Sequence, residues 1–429
     1  MFQPVNSKAG FPEIERKILE FWRTNRIFEK SIEARNSSPK YIFYEGPPTA
    51  NGNPGIHHVL SRVFKDVIPR YKTMKGFCVP RKAGWDTHGL PVELEVEKQL
   101  GFTGKAQIED YGVAKFNALC RESVFKYLKQ WDSLTERIAF WVDIGHPYVT
   151  LDNSYIESCW WAIKQLWDKG LIYQGYKVTP HCPRCGTSLS SHEVALGYKD
   201  DTVDPSVYIK FKIKALPSEI ADEKSPGFSL SKAVSEGKAY FLAWTTTPWT
   251  LPGNTSLALA AADDYAVIEH QGDFLVFASA LMAQVGLGDR PVLKTCKGSQ
   301  LAGSRYVPLF NPHEFNVERK RARVGHQGQF DIQEPDAHLT YKAITADFVS
   351  MEDGTGIVHI APAFGEADFL VGLESNLDFV QPVDLAGNMT GNYSFSGKFV
   401  KEADPEVIED LAKRGLLYKS GKVTHTYPF

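Results

Sequence analysis

The sequence predicts an α/β protein with a second, β-rich domain, and three stretches carry that reading. Residues 41–46, YIFYEG, are a short apolar run of the kind that fills a buried parallel strand. A loop rich in Pro, Gly and Asn follows, and residues 56–73 then repeat apolar positions at helical spacing; strand, tight loop and helix make the first unit of a nucleotide-binding α/β fold. From about residue 190 to 395 the character changes, because SVYIKFKI, YFLAWTTT, YAVIEH, FLVFAS and GIVHIA are short β-branched and aromatic runs separated by turns.

An amphipathic helix near residues 12–27 precedes the first strand. In the helix from about 56 to 73, Leu60, Val63, Phe64, Val67, Ile68 and Tyr71 obey the i, i+3, i+4 rule and are expected to form one buried stripe. A second strand is expected in FCVPRKAGWD, after which Pro91 opens a helix that Gly101 closes. Residues 107–169 read as helical throughout, with Gly170 as the stop. Near the C-terminus Asp404 is expected as N-cap and Pro405 at the first helical position, with a stripe through Val407, Ile408 and Leu411 and an end at Gly415.

With 429 residues, 43% of them hydrophobic, the chain is long enough for two or three domains. A formal net charge of -3 gives no global attraction to nucleic acid, although a local basic groove fits inside a neutral total. The N-terminal stretch lacks an apolar signal core and nowhere do 18 apolar residues run together, so a cytoplasmic protein with no membrane partner is expected. Six cysteines are too sparse for a disulfide scaffold, and a reducing compartment fits.

The loop before the second helix ends in Gly55-Ile56-His57-His58. A loop leaving a strand delivers backbone N–H groups and a helix N-terminus to one spot, which attracts anions, and Gly52 and Gly55 let a phosphate approach the backbone. Imidazoles in the first turn can donate to phosphate oxygens, but two histidines taken alone read rather as surface or satisfied core residues. The surrounding text decides. Tyr44 to Gly52, YEGPPTANG, followed by Gly84 to Glu93, GWDTHGLPVE, resembles the start of the isoleucyl-tRNA synthetases, a class I aminoacyl-tRNA synthetase family, and the resemblance extends over essentially the whole chain.

That resemblance implies a Rossmann-like catalytic half-domain with an inserted β-rich editing domain. The expected boundaries are 1–189 for the first half of the catalytic domain, 190–398 for the inserted domain and 399–429 for the return toward a second catalytic half. It implies an isoleucine–tRNA ligase that uses ATP with Mg2+, isoleucine and tRNA(Ile), acting as a monomer. In the family a His-x-Gly-His signature binds ATP; here the first histidine and the glycine have changed places. A subset of bacterial second-type isoleucyl enzymes has this order, which goes with insensitivity to mupirocin. By the same resemblance Gly55, His57 and His58 serve the phosphates, Asp86 holds the substrate ammonium, and Gly46 and Pro47 line the side-chain pocket.

Three threonines in FLAWTTTPWTLPGNTSL can be mere β-formers on a strand end. Together with GTGIVHIAPAFGEADF they resemble the two halves of the family's editing pocket, which removes valine that the first site admits. One missing methylene is worth only about 1–3 kcal/mol, a magnitude for which these synthetases are themselves the standard illustration. On this pattern Thr245, Thr246 and Thr247 contact the terminal adenosine and position water, Asp368 binds the α-amino group, and His359 with Asn254 shapes the pocket. Many relatives carry two acids in tandem where this chain has Ala367 and Asp368, which leaves Asp368 as the functional carboxylate.

Cys182 and Cys185 have the spacing of a zinc-knuckle half site, or are two inert cysteines. The family's second pair would follow a Tyr-Pro stretch like the one ending at Phe429, and no Lys-Met-Ser-Lys-like loop is present. An N-terminal fragment is therefore expected, one that binds zinc poorly and forms no adenylate alone, with Zn2+ reserved for the full-length enzyme. The alternative is a stand-alone tRNA-editing or tRNA-binding module.

Overall fold

The computed structural model describes residues 8, 10–194, 198–221, 227–324, 330–333 and 340–428. The chain divides into two compact units, residues 1–172 and 173–429.

The first unit runs α1 (Phe11–Thr24), α2 (Ile27–Glu33), β1 (Phe43–Tyr44), α3 (Ile56–Met74), β2 (Arg81–Trp85), α4 (Leu90–Leu100), α5 (Lys105–Tyr111), α6 (Val113–Val124), α7 (Leu128–Arg137), β3 (Asp143–Val149) and α8 (Asn153–Asp168). Its three strands lie side by side in the order β1-β2-β3, all parallel, as strands linked by helical crossovers must. Helix α4 is the element the sequence foresees best, with Pro91 in its first turn and Gly101 capping it in the left-handed region at φ 71°. The expected helical stretch 107–169 is broken by β3, whose DIGHPYV holds a Gly and a Pro that no helix interior favours. Gly84 is the register partner of Tyr148 on β3, and a Cβ there would lie 2.3 Å from the Tyr148 ring, so only glycine lets the strands approach.

Two burial expectations are overturned. Strand β1 is parallel but lies at the sheet edge, so Ile42 and Tyr44 are exposed. Helix α3 forms where expected but its stripe faces out: Leu60, Val63, Phe64, Val67, Ile68 and Tyr71 are all exposed, Phe64 at 70%, while Arg62 is 3% exposed. The inward face is polar because the residues waiting there are charged. Arg62 pairs with the buried Glu45 at 3.4 Å and donates to Thr135, and Asp66 meets Arg81 at 3.3 Å and Arg70 at 2.5 Å. The guanidinium groups also lie on indole faces, Arg62 over Trp131 at 5.1 Å and Arg70 over Trp141 at 4.3 Å.

The second unit opens with the hairpin β4 (His181–Cys182) and β5 (Thr187–Ser188). There follow β6 (Tyr198–Ala215), β7 (Ala239–Thr245), β8 (Ser256–Leu259), β9 (Asp264–His270), β10 (Asp273–Ala278), β11 (Val292–Lys297), β12 (Arg305–Tyr306), β13 (Arg319–Val324) and β14 (Phe330–Gln333). The remainder is β15 (Lys342–Thr345), β16 (Ile357–Ile360), α9 (Glu366–Glu374), β17 (Asp378–Val380), α10 (Val400–Lys413) and β18 (Leu417–Pro428). Among the described residues ten strands form one sheet, and six of them close on themselves: β7 pairs with β6 on one edge and with β16 on the other, and β8, β15 and β12 carry the pairing back to β6. Closure leaves the sheet's outer edges to β11 and β18 among the described residues. Val207, Ile209, Phe211 and Ile213 of β6 point inward at period two and meet Phe241, Leu257 and Ile357 in the core, while Lys212 faces water.

Helix α10 begins at Val400, not at Asp404. Asp404 is therefore inside the helix, buried, and its carboxylate accepts a hydrogen bond from Trp249 N at 2.8 Å instead of capping its own helix. Val407 and Leu411 are buried as the stripe predicts.

The inverted helix has a measurable consequence. Arg62→Ala strands Glu45 as a buried charge and is expected to cost on the order of 3 kcal/mol in urea unfolding of the full chain. Phe64→Ala is expected to change stability by less than about 0.5 kcal/mol, the reverse of what their hydrophobicities suggest.

Candidate functional site

The first candidate site forms where β1 and β2 end and α3 begins. Gly55 is the extended N-cap of α3, and its N–H donates to His58 Nδ1 at 2.9 Å, so a histidine closes the cap that Glu or Gln usually closes. With Nδ1 accepting, a neutral His58 carries its proton on Nε2 as a donor, and burial first, then the neighbouring His57, lowers its pKa and keeps it neutral. The His57 and His58 rings lie 3.8 Å apart, and His58 meets the edge of Trp131 at 4.6 Å. A Cβ on Gly55 would fall 2.8 Å from His57 Cε1, so the His57 ring fills the space where a side chain at position 55 would start.

The loop itself is tied down at several points. Trp131 Nε1 donates to Gly52 O and Lys65 Nζ to Gly46 O, both at 2.9 Å. Asp86, just beyond β2, donates its N–H to Pro48 O at 3.1 Å, and Thr49 Oγ1 reaches its carboxylate at 3.3 Å. The structure thus brings Asp86 against the loop that holds Gly46 and Pro47. Behind it the Thr150 hydroxyl meets Thr87 N and Oγ1 at 3.0 Å and His88 Nδ1 at 2.9 Å, while Leu151 N donates to Thr87 Oγ1. Thr150 sits at the end of the strand the sequence hides, so no local signal marks it. A cleft of about 260 Å³ lined by Thr87, His88, Glu93, Cys120 and Ile156 adjoins this loop. A wider hollow of about 740 Å³ lies at the amino ends of the strands, the wrong end for a ligand in a parallel sheet.

The second candidate site gathers the other predicted residues. Thr245 ends β7, Thr247 N donates to Thr245 Oγ1 at 3.0 Å, and Pro248–Gly253 then turn as a 3-10 helix. Under this turn the imidazole of His359, on β16, lies between Asn254 Nδ2 and Thr250 Oγ1 at 2.9 Å each. Burial pushes the His359 pKa down to about 4, so the ring is neutral at physiological pH. Trp249 packs edge-on against Phe364 at 4.9 Å, which brings the threonine segment to the loop leading into α9. In the first turn of α9 Asp368 accepts from Ala361 N at 2.9 Å, and burial raises its pKa. Thr250, three residues past the threonine run, is not singled out in the sequence although it lies in the same stretch, and Tyr306, which donates to Asn254 Oδ1 at 2.7 Å, has no signal there.

The family model of class I tRNA synthetases (I, L, M and V) matches residues 17–364. The chain belongs to this family. Isoleucine–tRNA ligases of Dehalococcoides mccartyi strain CBDB1, Clostridium novyi and Thermus thermophilus are 56%, 46% and 46% identical to it over its whole length, and it covers 41%, 37% and 37% of them. The chain thus spans about two fifths of the length of the curated relatives it matches. A solved structure, GlLeuRS-CP1, resembles half of the chain at 14% identity and a TM-score of 0.36, too loose a likeness to argue from.

For a class I synthetase chain the cysteine pair calls for a test against zinc. Cys182 and Cys185 are half-buried on the β4–β5 hairpin, and among the described residues no group of three potential ligands gathers anywhere. His181 donates from Nε2 to Leu385 O at 2.7 Å. Two thiols do not meet the four-ligand demand of a structural zinc. No helix among the described residues is long and apolar enough to cross a membrane.

The two buried titratable groups beside the threonine run act on stability in opposite directions. Asp404 has its pKa pushed up to about 6 by burial, so its contribution is full below pH 3.8 and is lost as pH rises through 6. His359 contributes fully above pH 6.5 and loses its contribution as pH falls through about 4. Asp404→Asn keeps an acceptor for Trp249 N and removes the buried charge. It is expected to stabilise the chain by on the order of 1–3 kcal/mol in urea unfolding at pH 7.5, with the gain shrinking toward pH 4.

Proposed function

We propose that the chain carries the amino-acid activation site and the hydrolytic editing site of an isoleucine–tRNA ligase that works as a monomer in the cytoplasm. The observation that supports this most is the unbroken similarity to isoleucine–tRNA ligases along its full 429 residues, which includes both candidate sites. In the activation step a carboxylate oxygen of isoleucine attacks the α-phosphorus of ATP, and the bond to the bridging oxygen breaks to release pyrophosphate. ATP enters with Mg2+, which supplies charge neutralisation. His58 donates from Nε2 to phosphate oxygens, His57 stands beside it, Asp86 holds the ammonium group, and Gly46 with Pro47 bounds the side chain; catalysis is positioning and charge stabilisation. Transfer to the terminal ribose of tRNA(Ile) follows.

In the second unit we propose deacylation of valyl-tRNA, with Thr245, Thr246 and Thr247 at the terminal adenosine, Asp368 at the α-amino group, and Asn254 and His359 behind them. A neutral His359 with both nitrogens occupied is no general base, so it serves by shape. Within this reading the domain limits 1–189, 190–398 and 399–429 follow the catalytic and inserted parts. Cys182 and Cys185 would supply two of the four ligands of a structural Zn2+ in the full-length enzyme, which would hold the hairpin and take no part in either reaction.

The exchanged order of Gly55 and His57 is proposed to impair mupirocin binding. Gly55→His alone collides with His57 and is expected to lower isoleucine-dependent pyrophosphate exchange, in a version of the chain extended to the length of its relatives, while Gly55→His with His57→Gly restores exchange and tightens mupirocin inhibition. Inhibition unchanged by the double exchange would refute the antibiotic part. Asp368→Ala should abolish hydrolysis of valyl-tRNA with exchange intact. Exchange absent from the extended protein while hydrolysis persists would favour a stand-alone editing module.

A further inference from the structure

The hydrogen bonds under the threonine run have only one consistent direction. Tyr306 is fully buried between Phe211 and Tyr341, with ring centroids 5.4 and 6.1 Å away, and its hydroxyl donates to Asn254 Oδ1 at 2.7 Å. The other end of that amide faces acceptors: Asn254 Nδ2 donates to Ser256 O at 2.8 Å and lies 3.4 Å from Ile360 O. A flipped amide would set its oxygen against these two carbonyls and leave Tyr306 without an acceptor. Asn254 Nδ2 is therefore the donor to His359 Nδ1 at 2.9 Å, so the imidazole proton sits on Nε2. Nε2–H then donates to Thr250 Oγ1 at 2.9 Å, and the Thr250 proton goes to Thr247 O at 2.7 Å. The relay runs one way, Tyr306 to Asn254 to His359 to Thr250 to the carbonyl of the last threonine.

We propose that Tyr306 is a positioning residue for the hydrolytic site: through Asn254 it holds His359 as the Nε2–H tautomer, and through Thr250 it fixes the backbone of Thr247. This rests on the deacylation reading above. Tyr306 touches no substrate. It completes what the Ser256 and Ile360 carbonyls begin: they hold the amide nitrogen, it holds the amide oxygen, and the threonine run is supported from beneath in one geometry. Burial raises the Tyr306 pKa well above its ordinary value, which keeps the hydroxyl a donor throughout the working range.

The test uses the full chain with 15N-labelled histidine, His359 being assigned by its loss in His359→Gln. The expected spectrum shows Nε2 protonated and Nδ1 bare, unchanged from pH 6 to 8. Tyr306→Phe leaves Asn254 Oδ1 without its donor and is expected to move the two nitrogen shifts toward each other. It should also lower kcat for valyl-tRNA hydrolysis roughly tenfold, the loss expected when a buried acceptor is left unpaired, with KM nearly unchanged. Thr250→Val should lower kcat similarly and Thr250→Ser should restore it. A His359 ring that carries its proton on Nδ1 or titrates near neutrality overturns the proposal, as does Tyr306→Phe with both spectrum and kcat of the unmutated chain. Absence of hydrolysis in the unmutated chain rejects the deacylation reading itself, a different failure.

Discussion

Glu45 is a carboxylate 2% exposed at the end of the first strand, and the first unit is arranged around keeping it tolerable. Burial raises its pKa, and Arg62 first and then Lys65 oppose that shift. Both bases come from α3, so the helix must turn its charged face inward. Once it does, Lys65 can also hold Gly46 O, and Tyr148 donates to the Glu45 carbonyl from the far strand. The loop that starts at Gly46 is thus pinned at its root by the same charges that orient the helix at its end. The ion pair contributes little net energy, because desolvating two charges offsets their attraction. Its effect is to specify orientation, which places His57 and His58 beside the loop.

The second unit solves the same problem with neutral groups. A closed sheet supplies a dry interior, and any polar side chain there must satisfy its bonds locally. Tyr306, Asn254, His359 and Thr250 satisfy one another in series, and Asp404 reaches in from α10 to hold Trp249 N beside them. The threonine run is therefore supported from two elements far apart in sequence. The two candidate sites share a design: a loop rich in Gly, Pro or Thr is tied by hydrogen bonds to partly or fully buried polar groups from distant elements.

Much of this was legible in sequence where a local rule has a single outcome. Pro91 and Gly101 bracket α4 because each is suited to one helix end, and strands of the closed sheet announce themselves as β-branched and aromatic runs between turns. Periodicity showed that α3 has two faces but not which is inward, because that depends on Glu45, eleven residues before the helix begins. Strand β3 was missed because its Gly145, His146 and Pro147 carry no strand propensity; pairing with β2 overrides them. Asp404 and Pro405 read as a helix start, yet Pro405 is tolerated inside α10, and the aspartate bonds across the fold instead of along it. His58, Asp86 and the threonines lie where loops and strand ends leave them. Their supports, Thr150 and Tyr306, are visible only once distant strands are brought together.

Strand β6 is paired along its length with three partners, and the last of them, β18, joins Tyr198 to Pro428. During synthesis β6 emerges before β18, with the other strands and helices of residues 216–416 between them. The long edge of β6 must therefore wait bare while the intervening sequence is made, and closing so large a loop is entropically slow. A bare, β-rich edge of this kind is where a nascent chain is most open to mispairing. The stretch that waits, Tyr198 to Ile209, carries Lys199, Asp200, Asp201, Asp204 and Pro205, residue types that blunt a free strand edge against the wrong neighbour.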